Sequence, residues 1–162
     1  VTIREYRAAD YPAVRACFIE LQEVERALDA RVPSGTSIAD AYLRALFERN
    51  EQLDGAIFVA EAEGRVIGYA SVLGTCRSDA PDDDPAPYAY LDDLVVLPEY
   101  RGQGHGYALL RRAERYAAVW GRSVVRLSVK GDNRNAREFY DRAGFSEYEL
   151  VLERQLPPTT AT

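Results

Sequence analysis

Apolar and polar positions change their period several times along this chain. Thr2 to Arg7 alternate as a short strand does, and from Asp10 and Pro12 onward the period lengthens to that of a helix. Val14, Cys17, Phe18, Leu21, Val24 and Leu28 then share one stripe, with Glu20 and Glu23 near its edge. Pro33, Ser34 and Gly35 break the pattern. Ser37 and Asp40 suit a capping box for a second helix, which buries Ile38, Ala41, Tyr42, Ala45 and Leu46. Ala56 to Ala62 and Arg65 to Gly74 are β-branched and aromatic runs across Glu63 and Gly64, which predicts a hairpin. Ser78 to Pro87 is rich in proline and aspartate, has nothing to bury, and predicts a mobile, solvated connector.

Tyr88 to Leu97 predicts the central strand. Gly104 to Trp120 predicts a helix with Leu109, Ala113, Tyr116, Ala117 and Trp120 facing inward, ended by Gly121. Ser123 to Val129 predicts another strand, Asn133 to Ala143 a helix stopped by Gly144, and Phe145 to Leu156 a last strand. The predicted order is βααβββαβαβ. Strand, glycine turn, helix and strand in succession imply a parallel crossover in a sheet that also holds a hairpin, so the fold class is α/β with a mixed sheet flanked by four helices. Composition does not shift along the chain, which predicts one domain over 1–156 and a flexible tail over 157–162.

The 162 residues, 47% of them hydrophobic, suffice for one unstapled core. Cys17 and Cys76 lack metal or redox spacing and are expected to be free thiols of a cytoplasmic protein. No stretch has the length and apolarity of a membrane span. With 26 acidic against 20 basic side chains and a net charge of −6, neither nucleic acid nor an anionic membrane is an expected partner, and a cationic ligand suits the chain better.

The candidate chemistry begins where the central strand runs into Arg101, Gly102, Gln103, Gly104, His105 and Gly106. Glycine at alternate positions lets the backbone curl and present successive N–H groups, and the following helix adds its own free N–H groups and the positive end of its dipole. Such a turn suits a phosphate. Two common phosphate fingerprints are absent: the glycines fall as GxGxG rather than GxGxxG, and the sole lysine, Lys130, is far from the turn.

The turn instead resembles the acyl-CoA signature of the GNAT N-acetyltransferase family, in which Arg or Gln is followed three residues later by Gly-x-Gly or Gly-x-Ala. Arg101, Gly104 and Gly106 match it. Asn133, Ala136, Phe139, Tyr140, Gly144 and Phe145 match the family's later NxxAxxFYxxxGF block in the expected order. The resemblance implies a GNAT-like sheet of about six to seven strands that splays after the central strand, where the pantetheine arm of acetyl-CoA enters. It also implies Leu94, Val95, Val96, the residues from Arg101 to Gly106, Asn133, Ala136 and Tyr140 as cofactor-binding positions, and a strand N–H near Val95 or Val96 for the oxyanion. Homodimers are common in the family.

Acetyl transfer to an amine needs a proton acceptor, an oxyanion donor and a proton donor for the departing thiolate, because an alkyl ammonium with a pKa near about 10 is mostly protonated at neutral pH. The resemblance puts Tyr140 next to the sulfur as the proton donor. Asp92 is the candidate base, Asp93 the alternative and Glu23 a weaker third. Adjacent strand residues face opposite ways, so Asp92 and Asp93 reach one side together only across a bulge. Asn133 suits the cap of its helix. Arg111 and Arg112 are candidate phosphate partners with a solvent-facing bias, His105 is a turn residue rather than a base, and no metal set is present. The expected activity is direct acetyl transfer to a primary amine, a small cationic one in preference. An acyl-CoA-binding sensor and acetylation of a protein amino terminus are the alternatives.

Overall fold

The computed structural model describes residues 1–158 and contains nine regular elements besides two short 3-10 turns. In chain order these are β1 (Thr2–Glu5), α1 (Tyr11–Leu28), α2 (Gly35–Gln52), β2 (Ala56–Ala62), β3 (Arg65–Cys76), β4 (Tyr88–Val96), α3 (His105–Val119), β5 (Val125–Arg126) and α4 (Arg134–Arg142). The strands form one sheet in the order β1-β2-β3-β4-β5; the first three pairings are antiparallel and β4–β5 is parallel. The hairpin, the crossover through α3 and the mixed sheet all follow the reading of the sequence.

Alternation along the strands splits the core into two layers. Phe58, Ala60, Ala70, Ala89, Leu91 and Val96 pack with Leu109, Leu110, Ala113 and Ala117 of α3, while Val59, Tyr69 and Val95 pack with Val14, Cys17 and Phe18 of α1 and Leu43 and Leu46 of α2. Phe139 and Tyr140 of α4, with Ala143 at its end, complete the first layer. At the far edge Arg4 of β1 donates to both oxygens of the buried Asp10 carboxylate and to Glu61 of β2, which ties the start of α1 to the sheet. Cys17 and Cys76 are free thiols. No helix among the described residues is long and apolar enough to cross a membrane.

Several elements differ from expectation. Helix α2 begins earlier, after Ser34, so Ser37 does not cap it; the Ser37 hydroxyl donates to the Ser34 carbonyl, and Asp40 is taken by Tyr11 and Arg15 of α1. The buried stripe is Ala39, Leu43, Leu46 and Asn50, and Ala41 is exposed. Trp120 stands at the end of α3 and is 41% exposed rather than buried. The sheet has five strands instead of six or seven, for two connected reasons. Strand β5 keeps only Val125 and Arg126 of the expected Ser123 to Val129, because β4 pairs with it only at Ala89 and Tyr90. Phe145 to Leu156 has strand-like composition but no ladder to join; Leu150, Val151 and Leu152 are exposed, and the segment is held by Tyr148 on the Arg126 guanidinium and by Glu153 on Arg31. The expected tail over 157–162 lies outside the described residues from 159 onward.

Candidate active site

The short β4–β5 pairing opens the sheet. Beyond Tyr90 the β4 edge that faces β5 has no strand partner, and alternation decides which groups line it. Leu97 N–H donates to Ile67 O at 2.9 Å, so Leu97, Val95 and Asp93 turn their amides toward β3, while Val96 and Leu94 turn theirs into the opening. The Val96 carbonyl points the same way and accepts from Arg101 Nε at 2.8 Å.

At the end of β4, Pro98–Tyr100 forms a 3-10 turn and the glycine turn follows. Gly102 and Gly104 have φ of 72° and 85°, in the left-handed region that side chains resist, and a Cβ at either would project into open space. Gly104 is the residue that precedes α3, and no side chain caps that helix. Its first N–H groups are left for a ligand, with the dipole's positive end behind them. A bare glycine turn, an uncapped helix of 15 residues and an amide-bearing strand edge fit the pyrophosphate and amide arm of a CoA thioester. The Arg101 side chain is committed elsewhere: besides Val96 it donates to Glu20 of α1 at 3.1 Å, which pins α1 to the end of β4. Gln103 donates to the Glu99 carbonyl, and His105 opens α3. Arg111 pairs with Glu114 and lies against Tyr107 on the exposed face of α3, while Arg112 lies over Phe58 near Glu5 against the sheet.

On α4 the Asn133 side chain accepts from Ala136 N–H at 3.2 Å and caps the helix. Tyr140 packs edge-on against Phe139 and Phe145, and burial, aided by the Asp93 charge, holds its phenol well above the ordinary tyrosine range. The hydroxyl therefore keeps its proton at any working pH.

The two central aspartates reach the same side of the sheet. Pairing with β3 passes from Ser71↔Asp93 to Val72↔Leu91, which leaves Asp92 as the extra residue of a bulge. Asp92 Oδ2 accepts from Nη2 and Nε of Arg49 on α2, at 2.8 and 3.1 Å. Asp93 is 6% exposed, and each of its oxygens has a phenol: Tyr42 of α2 donates to Oδ1 at 2.8 Å and Tyr69 of β3 to Oδ2 at 2.7 Å. Burial pushes the Asp93 carboxyl up to about 6 against the pull of both phenols, with the Asp92 charge acting in the same direction as burial. Glu23 is occupied at the start of α2, where it accepts from Gly35 N–H at 2.8 Å.

Tyr42, Tyr69 and Arg49 have no role in the sequence reading. Tyr42 reads as a buried position of the second helix and Tyr69 only as part of a predicted strand, and the one usable signal is that a buried phenol seeks a partner for its hydroxyl.

Residues 21–145 match the model of the Acetyltransferase (GNAT) family. An uncharacterized N-acetyltransferase of Methanocaldococcus jannaschii is 36% identical over 110 residues, which cover 68% of this chain and 46% of that protein. The uncharacterized N-acetyltransferase YhfO of Bacillus subtilis is 30% identical over 147 residues, 91% of each chain. The solved structure of the aminoglycoside N-acetyltransferase AAC(6')-Iy in complex with CoA superposes with a TM-score of 0.65 at 20% identity, over 97% of this chain and all of that one.

Proposed function

The chain belongs to the acetyltransferase (GNAT) family, and from that premise we propose that it passes the acetyl group of acetyl-CoA directly to a primary amine bound beside the thioester. The observation that carries the reading is the buried Asp93 carboxylate, fixed on the strand whose open edge leads into the uncapped glycine turn.

Acetyl-CoA supplies an activated acyl group and a leaving thiolate. The α3 N-terminus and the backbone from Gly102 to Gly106 hold its phosphates, Asn133 and Ala136 border its arm, and the Leu94 and Val96 amides present donors to amide and acyl oxygens. Asp93, with a carboxyl that titrates near 6, is ionised at neutral pH and only weakly acidic as its conjugate, the range that suits a general base. It takes the acceptor's proton directly or through one water. Asp92, neutralised by Arg49, keeps that helix docked and lowers the repulsion at Asp93. Tyr140, whose phenol keeps its proton, donates a hydrogen bond to the departing thiolate and stabilises its charge until solvent protonates it. A net charge of −6 and two aspartates under α2 favour a small cationic amine as acceptor.

Thiol release from acetyl-CoA over a panel of amines, with CoA binding measured in parallel, tests the reading. Amine-dependent release that falls about 10²-fold in Tyr140→Phe while CoA affinity is kept is the expected result. Tight binding with no release for any amine would transfer the assignment to an acyl-CoA sensor, and no CoA binding would remove the basis of both.

A further inference from the structure

Asp93 is unusual in having both oxygens claimed by phenols from two different elements. Tyr69 is fully buried and belongs to β3, where sheet register fixes it beside the bulge. Tyr42 comes from α2; its ring stacks on Phe18 of α1 at 4.1 Å and 16°, and Arg49 lies 5.7 Å from its centroid. Neither hydroxyl is needed to fill the core, since phenylalanine has the same ring.

We propose that Tyr42 and Tyr69 are positioning residues that hold the Asp93 carboxylate in its charged form and fix its orientation for proton abstraction. The proposal rests on the reading of Asp93 as the base. A carboxylate taken out of water retains its proton unless donors stabilise the charge, and here those donors are two O–H groups at 2.7 and 2.8 Å. Both phenols are themselves held protonated by burial and by the Asp93 charge, so they act only as donors. The remaining charged or titratable groups around the carboxyl are Asp92 beside it on β4, Arg49 on α2 and Tyr140 on α4; on α1, Cys17 is near Tyr69. Arg49 is paired with Asp92, so the phenols carry the direct hydrogen bonds to Asp93. With two points of attachment the carboxylate cannot rotate out of place. With one it is both less acidic and free to turn.

The test is the titration of the Asp93 side-chain carboxyl, followed by carbon NMR in the ligand-free protein, assigned by its absence in Asp93→Asn and repeated in Tyr42→Phe and Tyr69→Phe. Each tyrosine variant is expected to raise the midpoint by about one pH unit or more. Midpoints unchanged in both variants overturn the proposal. The acidic limb of kcat/KM, measured on the same variants, separates this result from the assignment of the base. A limb that moves upward with the NMR midpoint supports both claims. A midpoint that moves while the limb stays put supports the positioning role and removes Asp93 as the base. If Tyr69→Phe does not fold, the half-buried variant Tyr42→Phe decides alone by the same criterion.

Discussion

At the scale of single residues, the site separates charge from reactivity through partners. Asp92 and Asp93 are adjacent and identical in type, yet one meets a guanidinium and the other two phenols. Asp93 carries a folded-state carboxyl near 6 against 3.8 ordinarily, so between those values the native state binds more protons than the unfolded chain. Stability therefore falls as pH rises through that window and stays lower above it. Asp93→Asn removes this cost but gives up one of the two phenol hydrogen bonds, so its melting temperature at pH 8 is expected to stay close to that of the wild type while kcat falls about 10²-fold or more. A thermal scan beside an activity assay reads both. The sequence offers two candidate aspartates and the condition that a bulge must turn them to one side, but the bulge itself arises from pairing with β3, and the phenols arrive from a core-facing helix position and from the interior of a strand. The Asn133 cap and the place of Tyr140 on an apolar helix stripe were legible, since both are local properties; the role of Tyr140 beside the sulfur comes from the family resemblance alone.

At the scale of elements, the glycine turn and α3 act as one unit. The turn was readable because positive φ at Gly102 and Gly104 leaves few residues a choice, and the helix after it has a regular stripe. Gly104→Ala is expected to cost about 1 to 2 kcal/mol of stability from the left-handed backbone alone. Its added methyl projects into the open space proposed for the phosphates, so CoA affinity should fall tenfold or more; calorimetric titration and a denaturant melt check the two effects separately. The α2 start and the C-terminal strand were misread for a shared reason. Ser37 and Asp40 form a good local capping pattern, but Asp40 is drawn to Tyr11 and Arg15 across the helix pair. Phe145 to Leu156 has the composition of a strand, but a strand also needs a neighbour, and β5 offers two paired residues.

At the scale of the whole molecule, a two-layer core around a splayed sheet puts α1 and α2 on one face and α3 and α4 on the other. The far edge of the sheet is held by a different carboxylate with the opposite pH dependence. Asp10, buried and gripped by Arg4 and the Arg7 N–H, is held below the ordinary carboxylate range, so its contribution is present above pH about 4 and is lost as pH falls. Asp10→Asn is expected to destabilise the fold by about 3 kcal/mol at neutral pH, with the difference from wild type shrinking in acid; urea melts at two pH values check this. Direct transfer between two bound substrates leaves no acetyl group on the protein, and a single turnover tests this. The protein is loaded with acetyl-CoA labelled in the acetyl group, divided, and mixed with buffer or with an amine that supports turnover. The label is expected to stay on CoA in buffer and to move to the amine in one step when the amine is added, with none on the protein. Label on the protein before the amine arrives, or thiol release that does not depend on the amine, would contradict the account.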